Sequence, residues 1–86
     1  SMIFSKSKIT QEEVKKALSN VMDPDLHVDI VTLNMISDIR IDGKKVHFKL
    51  TLTTPACPLK EKIEKDCRDA VMAIPGVEEI DMETDA

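Results

Sequence analysis

The strictest constraint on the fold is a stretch of alternating apolar and polar residues near the middle of the chain. Every second residue is apolar from 46 to 52, and a shorter alternation, residues 38–42, precedes this run. A period of two predicts half-buried β-strands. Asp42-Gly43 lies between the two runs, and this dipeptide is a strong hairpin signal. The chain is therefore predicted to contain an antiparallel hairpin with one apolar face to be covered.

Two amphipathic helices are predicted on either side of the hairpin. Thr10 and Glu13 have the spacing of a capping box, and apolar residues at helical spacing follow them. The first helix is predicted over residues 10–22, with Pro24 ending it. A second apolar stripe predicts a helix over residues 58–74. Both helices need an apolar surface, and the hairpin offers one.

A third strand is predicted over residues 77–83, which gives the order α-β-β-α-β. The predicted fold is an α/β (α+β) two-layer sandwich, with a three-stranded mixed sheet covered on one face by two helices. The place of the last strand, beside the first or the second, stays open. Residues 10–84 are expected to form a single domain, and residues 1–9 a tag remnant and flexible arm.

Composition restricts the function. The 86 residues carry a formal net charge of −4, which argues against nucleic acid as a partner, because phosphate binding needs a basic surface. No apolar run approaches the roughly 18 residues that span a membrane, and no secretory signal is present, so a cytoplasmic protein without a membrane partner is expected. Two cysteines are too few for a disulfide framework.

Cys57 is the residue most suited to chemistry. Pro58 fits the first position of the second helix, which would make Cys57 its N-cap. Cysteine is not a favoured N-cap, but the free amides and the helix dipole there favour thiolate over thiol. A thiolate binds metals and attacks electrophiles. The alternative is that Cys57 is a small apolar residue filling a gap.

The other candidate ligands are weaker. Cys67 lies on the apolar stripe of the second helix and is predicted to be a core residue. His27 falls in a long loop, residues 23–34, and His47 on the polar face of the second strand. The spacings match no zinc site. Asp23 is either a turn residue or a site residue, and Asp29 either caps a turn or lies in a pocket beside Cys57.

Four segments together resemble a known family. They are TLTTPACPL at 51–59, DPD at 23–25, DIVTL at 29–33 and IPGV at 74–77. They are similar to the SufT/PaaD-like family, which also occurs as the amino-terminal domain of Mrp-type P-loop ATPases. The resemblance covers nearly the whole chain. It implies a fold akin to the carboxy-terminal domain of NifU-type scaffolds and a role in maturing iron–sulfur proteins.

The resemblance also implies a set of site residues. The cysteine of the family falls on Cys57, which becomes the expected metal ligand, and its loop acids fall on Asp23 and Asp29. Its threonines fall on Thr53 and Thr54. One departure concerns the loop: relatives usually have Leu-Gly-Leu where this chain has Leu-Asn-Met at 33–35. Asparagine tolerates the left-handed conformation better than most residues, so the turn is expected to survive.

Three hypotheses for the function follow. The first is an accessory factor, not an enzyme, that assembles iron–sulfur clusters or delivers them to client apo-proteins. The second is a thiol-dependent enzyme or redox protein with Cys57 as the reactive centre. The third is an interaction module in which Cys57 is structural. Clusters normally take four protein ligands, so under the first hypothesis one thiolate implies a transient cluster shared with a client, a small thiol or a second copy in a homodimer.

Overall fold

A computed structural model describes residues 9–24, 26–52 and 60–85 of the chain. Its elements follow the predicted order α-β-β-α-β. They are α1 (Gln11–Leu18), β1 (Ile36–Asp42), β2 (Lys45–Thr51), α2 (Lys60–Met72) and β3 (Glu79–Asp85). The α+β class and the three-stranded mixed sheet are confirmed.

The sheet has the strand order β1-β2-β3. β1 and β2 are antiparallel and joined by the predicted hairpin, in which Gly43 has φ 63°. Glycine reaches this left-handed region without the steric cost that other residues incur. β3 lies parallel to β2, with Lys45 opposite Glu79 and Thr51 opposite Asp85. The position that the sequence left open is therefore beside β2, and α2 belongs to the crossover that a parallel pair requires.

The core lies between one face of the sheet and the two helices. Val46, Phe48 and Leu50 of β2 are completely buried there, as their alternation predicts. α1 packs against β1 and α2, and α2 packs against β3. The aliphatic core therefore contains a single aromatic side chain, Phe48, among the described residues. The opposite face of the sheet is polar.

The start of α1 follows the prediction closely. The Glu13 amide donates to the Thr10 hydroxyl at 3.1 Å, and the Thr10 amide donates to the Glu13 carboxylate at 3.0 Å. This reciprocal pair is the predicted capping box. Ile9 and Val14, which the sequence places as a hydrophobic staple, are both buried. Ile9, the last residue of the segment expected to be an arm, therefore belongs to the core.

The end of α1 differs from the prediction. The helix ends at Leu18, not near residue 22 and well before Pro24. Ser19 caps it, and the next bonds have the tighter i to i+3 spacing, including one from Val21 to Leu18 at 3.0 Å. The Val21 carbonyl accepts from the Ile30 amide at 3.0 Å. Pairing with the loop therefore turns the chain out of the helix before proline could end it.

β1 contains a β-bulge that the sequence analysis missed. The strand register shifts between Ser37 and Arg40, and Asp38 within this step has φ 54°. A bulge adds one residue and thereby changes which side chains face inward. It allows Ile36 and Ile39, three residues apart, to pack against the same core.

α2 and β3 lie close to their predicted bounds. The described part of α2 starts at Lys60, and residues 58 and 59, predicted as its first two, lie outside the described residues. A turn follows the helix, with Gly76 at φ 98° and a bond from Val77 to Ile74 at 3.2 Å. Pairing with the hairpin starts at Glu78, so β3 begins two residues later than predicted.

Candidate functional site

The expected site residues divide between two parts of the chain. Asp23 and Asp29 belong to the described loop after α1. Cys57, Thr53 and Thr54 fall in residues 53–59, which lie outside the described residues. The site can therefore be built from the loop and from the residues that flank this segment, while the roles of Cys57 and the two threonines stay predictions.

The residues directly before this segment, at the end of β2, are held by backbone hydrogen bonds. The Thr51 amide donates to the Met35 carbonyl at 2.7 Å, and the Leu52 amide donates to the Asp85 carbonyl at 2.8 Å. The Leu52 side chain is buried. The last described residue before the segment is thus fixed between the end of the loop and the end of β3.

The flank on the α2 side faces the beginning of the same loop. Lys62 and Asp66 of α2 line a surface depression together with Asn20, Val21 and Met22. Val21 is also the residue that bonds to Ile30 further along the loop. The loop from residue 20 to 35 therefore borders the chain on both sides of residues 53–59.

Asp23 is the buried acid of this loop. Its side chain is 7% exposed, and Oδ1 accepts from the Leu26 amide at 3.0 Å. Its backbone carbonyl accepts from the His27 amide at 2.8 Å, and its amide donates to the Val28 carbonyl at 2.9 Å. Burying a carboxylate is costly unless it is hydrogen-bonded, and this one helps to close the turn around it. The turn role that the sequence allowed for Asp23 is confirmed.

Asp29 caps the second turn of the loop. Its carboxylate accepts from the Thr32 amide at 2.9 Å and from the Thr32 hydroxyl at 2.5 Å. These hydrogen bonds, the hydroxyl one first, hold the pKa of Asp29 below its ordinary value. Of the two alternatives raised for Asp29, turn capping is confirmed. A pocket shared with Cys57 stays a prediction.

The two acids are tied into one unit. Residues Met22 and Asp29 form an antiparallel bridge, which places Asp23 and Asp29 at the base of one short loop. Further along the chain, before β1, Asn34 has φ 59°. This is the left-handed conformation expected where relatives carry glycine. The Met35 amide then donates to Ile30 at 3.0 Å and closes the loop. The turn survives the departure from the family pattern.

Cys67 is the core residue that the sequence predicts. It is completely buried in α2, where Ile63 and Val71 occupy the neighbouring turns. Burial raises its pKa to about 12, and the nearby charges of Asp66 and Glu64 act in the same direction. The thiol is therefore protonated at neutral pH and unsuited to binding a metal.

A polar cluster on the open face of the sheet was missed. His47 lies on that face, as predicted, with Nδ1 3.1 Å from the Asp81 carboxylate and Nε2 3.5 Å from that of Asp38. Asp38 also binds Arg40 at 2.7 Å, and this hydrogen bond is the main cause that lowers the pKa of Asp38. The bulge and the position of β3 bring these residues together, and periodicity specifies neither.

No ready-made metal site accompanies this cluster. Within residues 9–24, 26–52 and 60–85, no group of three or more histidine, cysteine, aspartate or glutamate side chains is arranged to hold a metal ion. His27 is exposed, with φ 57°. Neither helix in the described ranges is long and apolar enough to cross a bilayer.

Comparison with known proteins identifies the family. The family described as iron–sulfur cluster assembly protein matches residues 11–82, from the first residue of α1 to the middle of β3. The match includes the loop acids, the segment with Cys57, the hairpin and the first half of β3. The chain belongs to this family.

Its relatives include both long and short proteins. An iron–sulfur cluster carrier protein of Synechocystis is 47% identical over 91% of this chain, and one of Deinococcus radiodurans is 48% identical over 79%. The chain spans only 22% and 19% of their lengths. The maturation auxiliary factor YitW of Bacillus subtilis is 34% identical, with 84% of this chain and 72% of YitW aligned.

Solved structures have the same fold. A conserved hypothetical protein of Thermotoga maritima superposes with a TM-score of 0.85 at 40% identity, covering 91% of this chain and 78% of the other. A Bacillus anthracis domain of unknown function gives 0.81 at 29% identity, covering 86% and 72%. Both solved structures thus share the fold of this chain.

Proposed function

We propose that this chain acts in the assembly of iron–sulfur clusters or in their delivery to client proteins, with Cys57 as the thiolate that contacts the cluster. Membership of the family supports the pathway. The names of the relatives, cluster carrier protein and maturation auxiliary factor, support a role in transfer rather than turnover of a substrate. The cluster is then cargo, and the partners are assembly proteins and client apo-proteins.

Cys57 is proposed as the cluster ligand because the other cysteine, Cys67, is buried and protonated. The chain has two thiols, and Cys67 is buried with its pKa raised to about 12. A cluster needs thiolate ligands, so Cys57 is the only cysteine left to provide one. The loop of Asp23 and Asp29 borders both flanks of its segment, which supports placing these acids around the site.

One thiolate does not complete a cluster. Clusters are normally held by four protein ligands, mostly thiolates. We therefore propose that the cluster is held transiently, with the remaining ligands from a client, a small thiol or a second copy of the chain.

The alternative function, a thiol-dependent enzyme, is disfavoured because a buried, protonated Cys67 is poorly placed to act as a resolving thiol. A free thiolate persists in a reducing compartment, which favours the cytoplasm.

Anaerobic reconstitution with ferrous iron and sulfide tests the ligand. We expect the wild type and Cys67→Ala to develop the visible absorption of a bound cluster, and Cys57→Ser to lose it. Circular dichroism of all three proteins checks that each is folded. Equal cluster absorption in Cys57→Ser and the wild type would refute the assignment of the ligand.

Complementation of a deletion strain tests the function, scored by the activity of a [4Fe–4S] dehydratase. Cys57→Ser should fail, because a serine hydroxyl stays protonated at neutral pH and is a poor iron ligand. Asp23→Asn and Asp29→Asn should give partial losses if these acids border the site. Full complementation by Cys57→Ser would mean that the chain works as an adaptor through its surface, without a thiol ligand.

A further inference from the structure

β3 is an edge strand whose outer side is open in the described part of the chain. Glu79 and Asp85 direct backbone hydrogen bonds toward the β2 side. Since backbone groups alternate in direction along a strand, Ile80, Met82 and Thr84 direct theirs away from the sheet. The described residues place no strand beyond β3. An exposed row of this kind is a template for pairing with another strand.

The helix-facing side of β3 is incompletely covered. Ile80 and Met82 point toward the core but remain half-buried, whereas Val46 and Phe48, their neighbours on β2, are fully buried. The helix layer as a whole therefore buries the centre of the sheet better than its β3 edge. A strand added at that edge would remove further apolar surface of these two side chains from water, which favours binding.

The open face of β3 is acidic. Its four outward side chains are all carboxylates: Glu79, Asp81, Glu83 and Asp85. On the adjoining strand they meet two lysines and a histidine, at 3.9 Å for Lys45–Glu79, 3.1 Å for His47–Asp81 and 3.6 Å for Lys49–Asp85. Four carboxylates thus face two lysines and one histidine, so the negative groups outnumber all of their basic neighbours on β2. An excess of negative charge therefore remains along the open edge.

We propose that the outer edge of β3 binds an extended segment of a partner protein, in which apolar and basic residues alternate, as a fourth strand of the sheet. The apolar residues would cover Ile80 and Met82, and the basic residues would lie beside Glu79, Asp81 and Glu83. A second copy of β3 does not fit this requirement. Pairing β3 with itself would set carboxylates against carboxylates, and like charges opposite each other destabilise a sheet.

A synthetic peptide of alternating valine and lysine tests the proposal. Titrated into the full chain, it should slow the hydrogen exchange of the Ile80, Met82 and Thr84 amides, as measured by NMR. Its affinity should fall as salt is raised. A peptide with glutamate in place of lysine is the control and should bind at least tenfold more weakly.

A matched pair of variants locates the charge effect. Glu79→Gln/Glu83→Gln should weaken binding of the lysine peptide by about 2- to 30-fold, since cross-strand charge pairs each contribute modestly. Glu12→Gln/Glu61→Gln removes the same charge from the two helices and should leave the affinity unchanged.

Four results would overturn the proposal. They are slow exchange of the three amides without peptide, slow exchange that grows with protein concentration alone, binding that leaves these amides unprotected, and equal binding of the lysine and glutamate peptides. The first would mean that the edge is already paired, and the second that a second copy occupies it. The last two would mean that the contact is not an added strand or does not depend on charge.

Discussion

Iodoacetamide should alkylate the two cysteines of the native protein at sharply different rates. Only a thiolate attacks this reagent, and the sulfur must also be accessible to the reagent. Cys67 is completely buried, and burial raises its pKa from 9.0 to about 12. That change alone lowers its thiolate fraction at pH 8 about a thousandfold. Alkylation of Cys67 should therefore require local opening of the fold.

Cys57 is predicted to react in the opposite way. A cysteine at the start of a helix gains thiolate character from the free amides and the helix dipole. If this prediction is right, Cys57 should be alkylated at least about a thousandfold faster than Cys67, from the difference in thiolate fraction alone. The expected pattern is one rapidly modified thiol and one that is protected for as long as the protein stays folded.

Timed alkylation followed by peptide mass spectrometry measures both rates in one sample. The same reaction in denaturant is the control, because the two thiols should then react within a few-fold of each other. Comparable native rates, or a faster reaction at Cys67, would refute the assignment of one working thiol and one core thiol. A slow reaction at both residues would refute the activation of Cys57 alone.

Further predictions concern stability, measured by denaturant unfolding. Cys67→Ser should lower the free energy of unfolding by about 1–3 kcal/mol, since it places a hydroxyl in an apolar layer, while Cys57→Ser should cost little, because serine is a better N-cap. Asn34→Ala should cost about 1 kcal/mol at φ 59°, and Asn34→Gly should be at least as stable as the wild type. Because the pKa of Asp29 is lowered in the folded state, its contribution is present above its ordinary pKa of 3.8 and lost as the pH falls through the folded value, so Asp29→Asn should destabilise at pH 7 and progressively less toward pH 2. A larger loss for Cys57→Ser than for Cys67→Ser, equal stability of the two Asn34 variants, or an effect of Asp29→Asn that does not change with pH would each contradict the corresponding assignment.

Sequence patterns predicted correctly those structural features that depend on residues close together in the chain. The capping box at Thr10 and Glu13, the hairpin at Gly43 and the burial of Cys67 each depend on residues close together in the chain. Periodicity also identified β2 correctly, because three of its side chains are fully buried on one face and the residues between them face the open side of the sheet.

The features that sequence reasoning missed depend on pairing between distant segments. α1 ends early because Val21 pairs with Ile30, a contact that no helix propensity encodes. In the sequence, the only sign of the bulge at Asp38 is a break in the alternation of apolar and polar residues. Ile36 and Ile39 are three residues apart, yet both face the core. The position of β3 could not be deduced because both edges of the hairpin could have accepted it.

The geometry around residues 53–59 explains why function and stability should separate at Cys57. The Thr51 and Leu52 amides are held by the carbonyls of Met35 and Asp85, and these bonds involve only backbone atoms. On the other flank, α2 is held by its buried stripe, to which Cys67 belongs. Both anchors are formed by described residues that do not include Cys57. If Cys57 caps the helix as the sequence predicts, serine would serve stability better at that position. We therefore propose that the cysteine is there for the chemistry of its thiol.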